Sequence, residues 1–267
     1  MHYAFMTFSC QQSSLADVLA LARRTGYDGV EIRAGGDHAH GVEVSLTRDE
    51  RAAVKQQFAD AGIRCACLAI SARFADPSEV DQWLDEARKT IDLAGDLDCP
   101  ILRVFGGELG KGVSRGAAIE AVAAHLKSLA TQAADRNVTL ALETHDAWCD
   151  AAHVAAVMTL ADHPNVGVNW DVMHPARMLG YSLEAAFTVL KPWIRHVHFH
   201  DALCVPDKLD FRRIGEGEID HRTVLRLLHS VEYPGVLSGE WIGFGDEAQL
   251  THDRQAMAAF EKELGIA

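Results

Sequence analysis

The alternation of apolar and polar residues along the chain predicts eight short strands, each followed by a helix. Four strands are predicted in the first half of the chain, at Tyr3–Ser9, Gly29–Arg33, Arg64–Ile70 and Ile101–Phe105. Four more are predicted around the apolar residues Leu140–Leu142, Val166–Trp170, Val197 with Phe199, and Val236–Ser238. Regular alternation of strands and helices is typical of a parallel sheet.

Helices are predicted between these strands, where apolar residues recur with helical spacing. Their expected positions are Leu15–Thr25, Thr47–Ala61, Ser78–Leu97, a segment that ends near Arg136, Ala151–Asp162, Leu183–Leu190, His221–Val231 and Glu247–Leu264. Ser13 or Ser14 is expected to cap the first helix, and Gly26 to end it.

The length and composition of the chain suit one barrel. The chain has 267 residues, and about 250 is typical of a (β/α)8 TIM barrel. Hydrophobic residues make up 48% of the sequence, which is enough to fill a large core, and no long polar tract separates one part from another. We therefore expect an α/β fold in which residues 1–267 form a single TIM-barrel domain.

Each of the last four predicted strands ends at or near one oxygen or nitrogen donor. These donors are Glu143, Asp171, His198 and Glu240. Successive side chains of a strand point to opposite faces, and each donor shares its face with small or polar residues. That face lines the interior of a barrel, and catalytic groups of barrels lie at the C-terminal ends of the strands. The pattern predicts that these side chains converge on one divalent metal ion.

The donor types indicate which metals fit and what chemistry follows. Three carboxylates and one imidazole suit Mn²⁺, Mg²⁺, Co²⁺ or Zn²⁺, and we favour manganese. Such an ion stabilises the enediolate that forms when a proton leaves the carbon next to a carbonyl. Glu143 and Glu240 are the candidate catalytic residues that remove and return this proton.

Other polar residues are candidates for substrate binding. His145, His174 and His200 are expected beside the metal, where imidazoles can exchange hydrogen bonds with hydroxyl groups. Arg213 lies in a long loop after the seventh predicted strand. Glu31 and Arg103 face inward, and for them an ion pair that stabilises the barrel is an equal alternative. His196 is expected one layer deeper, as a hydrogen-bonded core residue.

Charge and hydropathy exclude several classes of protein. The net charge of −13 argues against binding to a nucleic-acid backbone. No stretch approaches the roughly 18 apolar residues of a membrane span, and no secretory leader is recognisable. Six scattered cysteines without a C-x-x-C pair indicate reduced thiols. We expect a cytoplasmic enzyme with a small carbohydrate substrate, and a homo-oligomer is compatible with the sequence.

Six short motifs, in order along the chain, resemble one known superfamily. They are G-V-E-I at Gly29–Ile32, L-E-T-H at Leu142–His145, W-D-V-M-H at Trp170–His174, H-V-H-F-H-D at His196–Asp201, I-G-E-G-E-I-D at Ile214–Asp220 and S-G-E-W at Ser238–Trp241. The set resembles the xylose isomerase-like, or sugar phosphate isomerase/epimerase, TIM-barrel superfamily. By this resemblance Glu143, Asp171, His198 and Glu240 match the metal ligands, and His174 matches a histidine that contacts substrate.

The resemblance implies an isomerase or epimerase that acts on a small sugar, keto sugar or cyclitol through an enediolate. The alternative is a metal-dependent dehydratase of the inosose or 3-dehydroshikimate type, or an enzyme that eliminates from a keto-glycoside. Ketose 3-epimerases carry a glutamate and an arginine where this chain has Cys149 and Cys204. The extra histidines that endonuclease IV members carry on strands three and four are absent from the sequence here, which argues against a DNA-repair nuclease.

Overall fold

Eight parallel strands form a closed barrel in a computed structural model that describes residues 1–36, 38–205, 208–243 and 245–266. The strands are β1 (His2–Met6), β2 (Gly29–Arg33), β3 (Arg64–Arg73), β4 (Ile101–Phe105), β5 (Thr139–Glu143), β6 (Val166–Asp171), β7 (Ile194–Phe199), β8 (Asp201–Leu203), β9 (Asp210–Arg212) and β10 (Val236–Gly239). Around the barrel the order is β1, β10, β7, β6, β5, β4, β3 and β2. The predicted TIM-barrel fold is confirmed.

Helices follow the barrel strands along the chain. They are α1 (Leu15–Thr25), α2 (Arg48–Ala61), α3 (Val80–Asp96), α4 (Arg115–Asp135), α5 (Ala151–Ala161), α6 (His174–Leu179), α7 (Leu183–Leu190), α8 (His221–His229) and α9 (Glu247–Leu264). Ser14, not Ser13, caps α1 by accepting from the Asp17 amide at 3.2 Å, and Gly26 ends it at φ 79°. None of the helices in the described part of the chain has the length and apolarity that a membrane span requires.

The sequence did not predict the short elements α6, β8 and β9. Helix α6 has six residues and begins shortly after β6. Strands β8 and β9 have three residues each, follow β7 and form an antiparallel pair. Segments this short do not complete the apolar period by which helices and strands are recognised.

The alternation of side chains places the core and the functional groups on opposite faces of the same strands. Leu140 and Leu142 of β5 and Trp170 of β6 are fully buried in the apolar core. The residues between them point into the barrel, with Glu143 and Asp171 at the strand ends. Parallel pairing brings these ends together, since Glu143 pairs with Asn169, and Asp171 with His198.

Candidate metal centre

Four donors meet at the C-terminal end of the barrel. Glu143 ends β5, Asp171 ends β6, His198 lies in β7, and Glu240 directly follows β10. One donor atom from each of these side chains lies within 4.8 Å of the others. Three of the four are fully buried, and Glu240 is only 6% exposed. The structure thus brings together the set that the strand pattern selected.

The two ring nitrogens of His198 face different carboxylates. Nδ1 lies 3.1 Å from Glu143 Oε1 and 3.1 Å from Glu240 Oε2. Nε2 lies 3.1 Å from both carboxylate oxygens of Glu31. A metal-binding histidine commonly donates a hydrogen bond from its second ring nitrogen to a carboxylate, which fixes the orientation and the tautomer of the ring. This arrangement leaves Nδ1 as the nitrogen that faces the other donors.

One carboxylate oxygen of Asp171 accepts hydrogen bonds from the backbone, and the other faces the centre. Oδ1 accepts from the amides of Met173, at 2.9 Å, and His174, at 2.7 Å. Oδ2 lies 2.8 Å from His200 Nε2, but the two atoms are not aligned as a hydrogen bond. The backbone amide of Asp171 donates to Thr144 Oγ1 at 2.9 Å, which fixes the residue further. Oδ2 is therefore a buried oxygen that is held in place with no hydrogen-bond partner.

The charge of the centre supports the same interpretation. Burial of three carboxylates is costly unless cations lie close to them. Arg103 supplies one positive charge, since its Nε lies 3.1 Å from Glu143 Oε2 and its Nη2 lies 3.9 Å from Glu240 Oε1. Glu143 Oε2 nevertheless has no aligned hydrogen bond. Oxygen donors with an imidazole suit a divalent cation, so these residues fit one.

Glu240 is in the form that binds a cation. Burial alone raises the pKa of Glu240, but the nearby charge of His198 outweighs it and lowers this pKa to about 2. Burial opposes the charged form of His198 as well, yet Glu31, Glu143 and Glu240 raise its pKa well above the ordinary value. Glu240 is therefore ionised at neutral pH.

Three histidines lie beside the donors, as the sequence predicted. The ring centroids of His145 and His174 are 4.1 Å apart, and those of His174 and His200 are 5.6 Å apart. His200 Nδ1 lies 2.9 Å from the backbone oxygen of Glu240. His145 keeps 27% of its side chain exposed and lies 2.7 Å from Asp146. These rings connect the buried donors with the solvent.

The neighbouring imidazoles differ in charge. Burial lowers the pKa of His145, but the close contact with Asp146 and the charge of Glu143 outweigh it and raise this pKa to about 9. For His174 burial dominates and lowers the pKa to about 3, although Asp171 opposes it. At neutral pH a charged ring therefore lies next to a neutral ring, and together they offer both donors and acceptors to a hydroxylated molecule.

The other three predicted site residues lie in different places. Arg103 belongs to the centre through its contacts with the carboxylates. Glu31 is fully buried and contacts His198 and also His196, whose Nε2 lies 2.9 Å away. From the sequence, Glu31 was expected either to contact substrate or to stabilise the barrel, and this buried position fits the stabilising role. Arg213 is exposed on the loop after β9, and its contact with substrate stays a prediction.

We expect the substitution Glu31→Gln to weaken metal binding by about 10- to 100-fold, the usual effect of losing a partner of a metal-binding histidine. Glutamine keeps the shape of the side chain, but it cannot present two acceptor oxygens to His196 and His198. Calorimetric titration of the metal-free protein with Mn²⁺ measures the affinity. Glu261→Gln is the matched control, because Glu261 is also buried but pairs with the N-terminus. An unchanged affinity in Glu31→Gln would contradict the role given to Glu31.

Sequence reasoning gave no role to Asp201, which organises the loop after β9. Its carboxylate accepts from the backbone amides of Ala202, Gly215, Gly217 and Ile219, at 2.8 to 3.1 Å. The motif I-G-E-G-E-I-D carries the signal, since a loop with two closely spaced glycines can approach a buried carboxylate. Asp201 therefore fixes this loop to the end of β7, next to His200.

Replacement of Gly217 by alanine is expected to destabilise the protein by about 1–3 kcal/mol, the usual cost of overpacking. A Cβ at this position would overlap with Asp201 Oδ1. The free energy of unfolding in denaturant measures the effect. Gly116→Ala is the control, because a Cβ at Gly116 meets no atom within 4 Å. If Gly217→Ala is as stable as the control, the close approach to Asp201 is not required.

Comparison with known proteins agrees with the fold. Residues 19–261 match the family model of the xylose isomerase-like TIM barrel. The chain belongs to this family. The resemblance that the six motifs indicated is thereby confirmed, and the match spans the donors from Glu143 to Glu240.

Relatives within the family have more than one activity. A 3-dehydroshikimate dehydratase of Bacillus anthracis is 24% identical over 206 residues, which cover 74% of this chain and 71% of that protein. Among solved structures, the 3-keto-D-glucoside 4-epimerase of E. coli aligns with a TM-score of 0.78 at 16% identity. The alignment covers 98% of this chain and 99% of the epimerase chain. A xylose isomerase-like TIM-barrel protein of Mycobacterium smegmatis, crystallised in complex with magnesium, aligns with a TM-score of 0.75 at 16% identity. The alignment covers 100% of this chain and 97% of that protein.

Proposed function

We propose that the protein is a metal-dependent isomerase or epimerase that removes a proton next to the carbonyl of a small sugar, keto sugar or cyclitol. The observation that carries this proposal is that two carboxylates lie close to the same ring nitrogen. Glu143 and Glu240 each lie 3.1 Å from His198 Nδ1. Two bases around one point can act on the same carbon from different sides.

The proposed cofactor is one divalent ion held by Glu143, Asp171, His198 and Glu240, with manganese favoured and magnesium, cobalt or zinc as alternatives. When bound, such an ion stabilises negative charge on the oxygens of the substrate as a Lewis acid. The proposal is supported by the buried oxygen of Asp171 that has no hydrogen-bond partner, and by the relative crystallised with magnesium.

In this proposal the residues of the chain divide the work of proton transfer. One of Glu143 and Glu240 takes the proton next to the carbonyl, and the other returns it. Return to the opposite face of the same carbon gives an epimer, whereas return to the neighbouring carbon gives an aldose–ketose isomer. Arg103 holds both carboxylates in position, and His145 and His174 orient the hydroxyl groups of the substrate.

A second candidate, a dehydratase, is favoured by the three histidines beside the donors. Dehydration starts with the same proton removal but then needs an acid that protonates the leaving hydroxyl group. His145 or His200 can supply that proton, because the pKa of each ring is raised. Their ring centroids lie 4.1 Å and 5.6 Å, respectively, from that of His174. The relative that dehydrates 3-dehydroshikimate supports this candidate.

One experiment separates the candidates. The Mn²⁺-loaded protein is incubated in deuterated buffer with ketohexoses, inososes, 3-keto-glucosides and 3-dehydroshikimate, and the products are analysed by NMR. An epimerase yields a sugar product with deuterium on the carbon that lost its proton, and an isomerase yields one with deuterium on the neighbouring carbon. Loss of water from 3-dehydroshikimate or an inosose, without a deuterated sugar product, would overturn the first candidate and support the second. No reaction and no exchange with any compound would refute both.

A further inference from the structure

A cavity of about 670 Å³ opens at the N-terminal ends of the barrel strands, opposite the metal donors. We call it the lower cavity. Its walls are mainly apolar and include Phe58, Ile63, Leu97, Ile101 and Ile194. Cavities that bind small molecules measure about 300–1,000 Å³ and combine apolar walls with a few polar groups. The lower cavity therefore has the size and the lining of a ligand site, although the family comparison assigns nothing to it.

Two β-bulges shape the lower cavity. In β3 the partners of Val30 and Glu31 are Cys65 and Cys67, so Ala66 is an extra residue. In β7 the partners of Val168 and Asn169 are Ile194 and His196, so Arg195 is an extra residue. Ala66 and Arg195 both line the cavity. Bulges of this kind redirect side chains at the rims of barrels.

Glycine makes room for the redirected arginine. Gly167 of β6 shares the interior face with Asn169 and Asp171. A Cβ at Gly167 would overlap with Arg195 Cγ. The stem of Arg195 therefore occupies the interior space that a side chain at position 167 would take, and it brings a cation to the cavity wall.

Two arginines of the lower cavity have no acidic partner within the described ranges. Arg195 Nη1 donates only to the backbone oxygens of Pro192 and Ile194, at 3.1 and 3.0 Å, and neither Arg195 nor Arg64 forms an ion pair there. Lys55, in contrast, pairs with Asp98 at 2.6 Å. Arg195 and Arg64 therefore bring to the lower cavity two positive charges that no acidic side chain of the described residues pairs with.

We propose that the lower cavity binds a small amphipathic anion, with an apolar body and one carboxylate. The apolar body packs against Phe58, Leu97 and Ile101, and the carboxylate pairs with Arg195 and Arg64. His196 forms part of the lining and contacts Glu31, which contacts His198. A ligand in this cavity thus lies two side chains away from a metal donor. The proposal does not depend on the proposed function.

The test compares octanoate with 1-octanol, which has the same apolar chain but no charge. Calorimetry is performed on protein treated with EDTA, so that the carboxylate cannot bind a metal. We expect octanoate to bind at one site at least about tenfold more tightly than 1-octanol, the scale of a charge-assisted hydrogen bond. Arg195→Met keeps the stem without the charge and should weaken the binding of octanoate while leaving that of 1-octanol unchanged.

Arg64→Met provides a second variant, because Arg64 is exposed and its loss does not threaten folding. It should weaken octanoate binding while leaving 1-octanol unchanged. The control is Arg48→Met, at an exposed arginine in the first turn of α2 and outside the cavity lining, which should bind both compounds as the wild type does. Equal affinities of the wild type for octanoate and 1-octanol, or unchanged octanoate binding in both Arg195→Met and Arg64→Met, would overturn the proposal.

Discussion

Replacement of His198 by alanine is expected to abolish metal binding and turnover together. The wild type should hold about one divalent ion per chain at the centre. His198 Nδ1 is the nitrogen donor of the set and lies 3.1 Å from both Glu143 and Glu240. Without it, the set keeps three carboxylates but loses its imidazole, and the remaining oxygen donors are expected to hold the ion too weakly to retain it. Asp171→Asn should have the same effect, because an amide is neutral and cannot replace a carboxylate as a ligand of the ion.

Metal content by mass spectrometry and turnover with added Mn²⁺ measure this effect on folded protein, with folding checked by circular dichroism. His153→Ala is the matched control, since His153 lies on α5 and contacts only Asp150 among the acidic residues of the described chain. The control should keep full occupancy. Full metal occupancy in His198→Ala would show that the donors are assigned wrongly.

The fold was predictable because each strand or helix repeats its apolar residues with a period that is visible within its own short segment of sequence. The bounds of β4, α7 and α9 in the structure are those that the sequence predicted. The strand predicted at Arg64–Ile70 continues to Arg73. The extra residues in β3 and β7 were not predicted, because a bulge is a property of the pairing between two strands and leaves no period in either.

The donors were predictable for a related reason. Each of them lies at or near the C-terminal end of its own strand, and parallel strands of a barrel place these ends together. The contacts that orient the donors were not predictable in the same way. Glu31 contacts His198 across 167 positions of sequence, and no local pattern specifies which inward-facing residue of β2 meets which residue of β7. The same holds for Asp201 and the loop that it fixes.

Substitution of either Glu143 or Glu240 by glutamine is expected to reduce turnover by roughly 100-fold or more, the usual scale for the loss of a positioned base. Glutamine has the shape of glutamate but does not accept a proton. Both carboxylates are also proposed metal ligands, so a loss of activity alone would not identify a base. The variants must therefore be assayed at a Mn²⁺ concentration well above the dissociation constant measured for each variant.

The decisive measurement is the exchange of solvent deuterium into substrate and product, followed at full metal occupancy. If Glu143 and Glu240 act on different faces of the carbon, one variant should still exchange the proton of the substrate but form no product. The other variant should lose exchange with this substrate and keep it when started from the product. Glu261→Gln should behave as the wild type, because Glu261 pairs with the N-terminus. Normal turnover in both variants at full occupancy would refute proton transfer by these two carboxylates.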